Sequence, residues 1–155
     1  MKTIKVRKAS IKDLESISIV ANMLWDSESE ISEFLIKDYY ISEDGKKELK
    51  KAIQEHIFLV AETDNKIVGF IDGYELKRPG AYKQKNGYIK RIVINPDYQR
   101  NNIGTKLMDE LTEHFKKIGI SMIRLDVLAE NTKAINFYNN LDFKAYASTY
   151  IKTDI

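Results

Sequence analysis

The chain of 155 residues contains no cysteine, which excludes disulfides, thiolate metal sites and a cysteine nucleophile, and says little about compartment. Histidine is scarce as well. His56 and His114 stand far apart and form no HExxH or paired-ligand spacing, so metal chemistry is not expected. Neither sign of charge is in excess: 25 basic residues face 23 acidic ones, and a formal charge of +2 provides no global field to recruit nucleic acid or an anionic membrane. Long apolar runs are also missing. The opening "MKTIKVRKASIKDLESI" interrupts its apolar positions with charge too often for a signal peptide, and no later stretch is suited to span a bilayer. A cytoplasmic protein without membrane attachment is the default expectation. No repeat, linker or low-complexity tract divides the chain, so residues 1–155 read as a single domain, long enough to bury about 68–70% of its unfolded surface.

Hydrophobic periodicity supplies the elements. "TIKVRKA" alternates as a first strand, and Ser10 is a cap for a helix carrying Ile11, Leu14, Ile17 and Leu24. Residues 26–44 hold Asp26, Glu28, Glu30, Glu33, Asp38, Glu43 and Asp44 against the single base Lys37, interleaved with Ile31, Phe34, Leu35, Tyr39 and Tyr40. They predict short acidic helical segments. "HIFLVAETDNKIVGFIDGYEL" alternates about a polar "TDNK" turn and predicts a hairpin from Ile57 to Leu76. Residues 77–91 carry Lys77, Arg78, Lys83, Lys85, Lys90 and Arg91 and no acid; this reads first as an exposed connection, and no nucleic-acid-binding module accompanies it. "GYIKRIVIN" is a fourth strand, stopped by Pro96, whose ring cannot donate a ladder hydrogen bond. Ile103, Leu107, Leu111, Phe115 and Ile118 share one helical stripe, which Gly119 ends. "SMIRLDVLA" predicts a fifth strand, "NTKAINFYNNL" a short helix and "FKAYASTYIK" a final strand. The expected fold is α/β (α+β): a mixed, mostly antiparallel sheet with one parallel crossover and helices on both faces.

The entrance to the helix at Ile103 is chemically unusual. A first helical turn exposes unpaired N–H groups and partial positive charge, and Asp or Glu is its ordinary companion. Between Asp97 and Asp109 there is no acid, only the bases Arg100 and Lys106. Such an entrance is suited to an external anion, and it lies just beyond the carboxyl end of a strand, where open sheets hold ligands. "GTK" lacks the order and spacing of a P-loop. Taken singly, Arg100 and Lys106 read equally well as solvated charges.

These residues resemble the GNAT superfamily of Gcn5-related N-acetyltransferases. The family's signature of Gln or Arg, two residues, Gly, one residue, then Gly or Ala is matched by Gln99, Arg100, Asn101, Asn102, Ile103 and Gly104, with Asn102 in place of the first Gly. A second feature matches Asn131, Ala134, Phe137, Tyr138 and Phe143, with Asp142 in place of a Gly. Asn and Asp tolerate the left-handed region better than most residues, so the two replacements predict a slightly weakened anion cradle and a strained helix end.

The resemblance implies that the anion is the pyrophosphate of acetyl-coenzyme A, with amides from Gln99 through Thr105 to Lys106 around it. It also implies that the strand backbone at Ile92, Val93 and Ile94 pairs with the pantetheine arm. Asn131, Ala134, Phe137 and Tyr138 complete the cofactor site, although Asn131 is equally a helix cap. Tyr138 is the implied catalytic acid toward the departing thiolate, against the plainer reading of one more helix aromatic. Acetyl-coenzyme A would then be the co-substrate, with no metal, and the acceptor a primary amine of a small cationic molecule attacked directly in a ternary complex. A peptide or protein amine, or a non-catalytic acyl-coenzyme A binding module, are the alternatives, and a homodimer is a further candidate partner. A lysine-like amine with a pKa of about 10.4 must lose a proton before it attacks. Where many relatives carry a carboxylate on the fourth strand this chain has Lys90 and Arg91, which leaves Asp72, Glu75, Asp126 and Glu130 as candidate bases.

Overall fold

A computed structural model describes residues 3–77 and 80–155; Met1, Lys2, Arg78 and Pro79, the last two within the basic stretch 77–91, lie outside the described residues. The opening strand is β1, Lys5–Lys8. It leads through a single 3-10 turn into α1, Leu14–Ile31. Ser10 starts that turn, and its backbone N–H donates to Asp13 Oδ2 at 2.8 Å. Helix α1 runs through Asp26, Glu28 and Glu30, so part of the acidic stretch lies on one long helix instead of in separate short segments. A second helix, α2, follows at Glu43–Glu55, capped by the Ser42 hydroxyl, which accepts from the Gly45 N–H.

The hairpin forms as expected from β2, Ile57–Thr63, and β3, Lys66–Leu76, with Asp64 and Asn65 both at positive φ, the conformation a tight two-residue turn requires. Strand β4, Asn86–Ile94, then pairs antiparallel with β3. Helix α3, Ile103–Lys117, crosses back to β5, Met122–Leu125, which pairs parallel with β4; helix α4, Thr132–Asn140, follows. The sheet order is β1-β2-β3-β4-β5, mixed and mostly antiparallel.

Two apolar clusters cover the two faces. Ile17, Val20, Ala21, Leu49, Ala52 and Ile53 of α1 and α2 pack on Phe58, Val60, Phe70 and Val93. Ile103, Leu107, Met108, Leu111 and Phe115 of α3 pack on the opposite side against Leu59, Ala61, Ile71 and Ile89. The Phe115 ring seats α3 where a Cβ at Gly73 or Gly87 would come within 2.9 and 2.7 Å of it, so the two glycines let the helix approach the sheet.

Two local features open the sheet. Asp72 faces Arg91 and Gly73 faces Ile89, which leaves Lys90 as an extra, bulged residue in β4. Pairing with β5 spans only Asn86–Ile89, so among the described residues the edge of β4 beyond the bulge has no strand partner on that side. The final strand is a correction: residues 143–155 form neither helix nor strand, and past Phe143 no backbone N–H of this segment finds an acceptor among the described residues. The alternation is present, but a strand also needs a hydrogen-bonding partner, and the segment takes none among the described residues.

Candidate active site

The turn before α3 is built on residues with left-handed backbone and leaves its amides unpaired among the described residues. Arg100 and Asn102 lie in the left-handed region, at φ 68° and 57°, on either side of Asn101, which turns successive N–H groups toward one side as an anion nest. The first amide of the helix with an intrachain acceptor is that of Lys106, bonded to the Asn102 carbonyl at 3.0 Å; those of Arg100 through Thr105 donate to nothing among the described residues. No acid stands in the first turn. Asn102 adopts the conformation expected of the missing glycine, and Asp142, at φ 63°, does the same after α4.

This turn forms one end of a cavity of about 470 Å³. Ile92, Val93, Ile94, Gln99, Arg100, Asn102, Ile103, Gly104, Thr105, Asn131, Ala134, Phe137 and Tyr138 all line it. The structure brings them together because the bulge at Lys90 parts β4 from β5 and α4 closes the gap from the far side. Asn131 caps α4, its side-chain oxygen accepting from the Ala134 N–H at 3.1 Å.

Asn101 and Lys106 are not brought in. Asn101 donates to the Tyr98 carbonyl at 3.0 Å, and the Lys106 ammonium donates to the Ile4 carbonyl at 2.6 Å, which takes its charge to β1. Lys133 lines the cavity and donates to Gln99 Oε1, so it is the cation that joins Arg100 at the nest. Its place inside the "NTKA" run was the available sequence signal. Gly104 serves packing as well as access: a Cβ there would sit 3.1 Å from Phe137 and 3.3 Å from Ile94.

A second, smaller cavity of about 160 Å³ shares Leu24, Ile92, Val93 and Tyr138 with the first and extends under α1 to Trp25, Glu28, Tyr40, Lys90, Arg91 and Asp126. Burial pushes the Tyr138 phenol up to about 12, and the neighbouring charge of Glu28 adds to the shift. Its hydroxyl makes no hydrogen bond among the described residues, so it is free to donate into the junction of the two cavities. Burial likewise raises the carboxyl of half-buried Glu28 above its ordinary value.

The expected base candidates fare differently. Asp72 is fully buried; burial opposes its ionisation, but the bonds from Arg91 and then His56 outweigh that and hold it below the usual carboxylate range. It is a poor proton acceptor. Glu75 pairs with Lys85 at 3.4 Å and Glu130 lines neither cavity, while Asp126 borders the smaller one and accepts from the Tyr88 hydroxyl at 2.8 Å. Glu28 was legible only as one acid among several in 26–44.

A parted mixed sheet, an anion nest at the mouth of the gap and a phenol at its junction with a second cavity make a site suited to an extended ligand with an anionic end. The model of the acetyltransferase (GNAT) family matches residues 20–143, and the chain belongs to that family. It is similar to a spermidine N(1)-acetyltransferase of Thermoplasma acidophilum, 31% identical over 150 residues, covering 92% of this chain and 89% of that one. An N-alpha-acetyltransferase of Sulfurisphaera tokodaii is 29% identical over 149 residues, covering 92% and 81%. Among solved structures, the PaiA N-acetyltransferase of Thermoplasma acidophilum in complex with coenzyme A superposes with a TM-score of 0.78 at 26% identity, covering 95% of this chain and 93% of that one. The protein is an acetyl-coenzyme A-dependent N-acetyltransferase. Among the described residues, no helix is long and apolar enough to cross a membrane.

Proposed function

We propose that the protein acetylates a primary amine of a small cationic molecule, with the larger cavity holding acetyl-coenzyme A and the smaller one the amine. The observation that carries this reading is Glu28: a half-buried carboxylate of raised pKa in a cavity that shares Tyr138 with the cofactor side. The larger cavity suits the cofactor on three counts. The nest offers unpaired amides to the pyrophosphate, Arg100 and Lys133 add positive charge, and the free β4 edge at Ile92 to Ile94 offers main-chain groups to an amide-bearing arm.

Acetyl-coenzyme A supplies the activated thioester, whose C–S bond breaks as the amine forms its N–C bond. Glu28, ionised, attracts the ammonium form and takes a proton from it; its raised pKa narrows the gap to an amine near 10.4. Lys90, also at this cavity, opposes the attraction, but it is exposed and screened by water. Arg91 adds little positive field, because Asp72 and Glu48 pair with it. Tyr138 donates a hydrogen bond to the sulfur as negative charge develops there, and the second proton, which the nitrogen sheds on becoming an amide, passes to the departing thiolate to give the thiol of coenzyme A.

The spermidine-acetylating relative favours a polyamine-like acceptor, and the N-alpha-acetylating relative favours a peptide amine. The small volume under α1 supports the former. Turnover of acetyl-coenzyme A against diamines, polyamines, aminoglycosides and short peptides separates them. Polyamines or related small amines are expected to be the fastest acceptors, with Glu28→Gln lowering kcat/KM for them by about 10²-fold or more. Faster turnover of peptides by the wild type, or an unimpaired Gln variant, would refute the assignment.

A further inference from the structure

Lys90 is the extra residue of the β4 bulge, and the bulge decides where its side chain goes. Strict alternation sends neighbouring strand residues to opposite faces, yet Lys90 and Arg91 both border the smaller cavity. Their charges are held very differently. Arg91 is buried and tied to Asp72 and Glu48. Lys90 is exposed, and its ammonium makes no hydrogen bond or ion pair among the described residues. Lys133, the other lysine at the two cavities, is bonded to Gln99 Oε1.

The smaller cavity sets Lys90 beside the groups the reaction uses. Glu28 and Tyr138 line it, and Tyr138, Leu24, Ile92 and Val93 are shared with the larger cavity. Its volume of about 160 Å³ is that of about five waters, so a group at its wall lies within a side chain's length of the others. The flexible four-carbon stem of a lysine can turn its amine inward from the mouth of such a space. Lys90 is therefore a primary alkylamine tethered at the acceptor's place, and a tether replaces a bimolecular encounter by an intramolecular one.

We propose that Lys90 is a self-acetylation site: with the smaller cavity empty of acceptor, its amine attacks the thioester of the acetyl-coenzyme A bound to its own chain. This rests on the reading of that cavity as the amine's place. The N–C bond forms as the C–S bond breaks. One proton of the ammonium goes to Glu28 and on to water; the second, shed as the nitrogen becomes an amide, goes to the thiolate and gives the thiol of coenzyme A. The product is a neutral acetamide where a cation stood. Across hydrated contact distances, loss of that repulsion is worth about fivefold in affinity for a cationic acceptor, so the modified enzyme holds its substrate more tightly.

The test is mass spectrometry, of the intact chain and then of its peptides, after incubation with acetyl-coenzyme A alone. One acetyl group per chain is expected on Lys90, at a rate independent of protein concentration and at least tenfold above that of the exposed Lys83 and Lys144. Tyr138→Phe and Glu28→Gln should each bring that rate down to the level of those surface lysines, and Lys90→Arg should remove the modification while keeping the far-ultraviolet spectrum of the folded chain. Lys90→Gln, neutral like the acetylated side chain, is expected to show a polyamine KM about fivefold below that of Lys90→Arg, which keeps the charge. An unmodified Lys90, a rate that rises with protein concentration, a rate that survives in Tyr138→Phe, or equal KM values in the Gln and Arg variants would each overturn the inference. An unmodified Lys90 beside brisk polyamine turnover would leave the amine reading of the cavity standing, whereas acetylated Lys90 without polyamine turnover would strike the polyamine reading alone.

Discussion

The Arg91 guanidinium and the Asp72 carboxylate meet as a two-bond fork, Nε to Oδ1 and Nη2 to Oδ2 both at 2.8 Å, between residues directly opposed on β4 and β3. His56 Nδ1 lies 2.7 Å from Oδ2, and Arg91 Nη1 donates to Glu48 Oε1 at 2.9 Å. Both carboxylate oxygens of Asp72 are therefore engaged by charged or polar partners, which makes it a poor proton acceptor and a structural anchor between β3 and β4. Removing one partner of a buried pair leaves an uncompensated charge at a cost of about 3–5 kcal/mol. Arg91→Met is expected to lose that much in urea unfolding and to lower Tm by roughly 6–20 °C. A loss below about 1 kcal/mol would mean that His56 and solvent already satisfy the carboxylate.

A second ion pair sets the acid limb of stability. Arg7 bonds bidentately to Asp13, Nη1 to Oδ2 at 2.8 Å and Nη2 to Oδ1 at 3.0 Å, and with the Ser10 N–H holds its carboxyl at about 2 against an ordinary 3.8. The folded value is the lower one, so the unfolded chain takes up the proton first as pH falls. The stabilisation is complete above about 4 and disappears as pH drops through about 2. Asp13→Asn is expected to cost about 1–2 kcal/mol at pH 7, discounted for partial exposure, and almost nothing near pH 2. Equal losses at both pH values would assign the effect to packing.

The anion nest, the parallel crossover and the capped α4 were legible because each depends on local rules. Asn102 tolerates a positive φ, Gly119 ends α3 at φ 80°, and Asn131 caps the next helix. The rest depends on rotation and distance across the fold. Lys106 and Arg100 look alike in sequence, yet their places on the first turn send one cation to Ile4 and leave the other at the nest. Glu28 is distinguished from the other acids of its stretch only by facing the cavity that Tyr138 borders. The alternation in residues 143–152 reads as a strand, but no backbone N–H past Phe143 finds an acceptor among the described residues, and periodicity alone cannot show that a ladder partner is lacking.

Cofactor affinity tests the nest. Gly104→Glu places bulk against Phe137 and Ile94 and adds negative charge beside the unpaired amides, so calorimetry is expected to find coenzyme A binding weakened by at least tenfold. Gly104→Ala separates the two effects, since its Cβ also meets Phe137 at 3.1 Å but carries no charge; it should lose affinity far less. Asn102→Gly removes a strained Cβ at φ 57° and is expected to hold or improve affinity. If it binds much more weakly, the Asn side chain itself contacts the ligand.

Tyr138→Phe probes the chemistry with little structural disturbance. The hydroxyl makes no hydrogen bond among the described residues, and the ring keeps its contacts with Phe137 and Phe143, so thermal stability should hold or rise slightly. With the phenol pushed up to about 12 and a reference thiol near 8.5, full proton transfer to the departing thiolate is uphill by about 5 kcal/mol. The contribution is then mainly a hydrogen bond to developing charge, which places the expected loss in kcat at the lower end of the range for a positioned acid, about 10²-fold, with coenzyme A affinity unchanged. The pH profile adds an independent reading. A phenol titrating near 12 gives no falling limb below about pH 11, so any basic limb seen between about pH 8 and 10 should survive in the Phe variant. Its disappearance there would assign that limb to Tyr138 and contradict the raised pKa; wild-type kcat in Tyr138→Phe would remove the residue from the reaction.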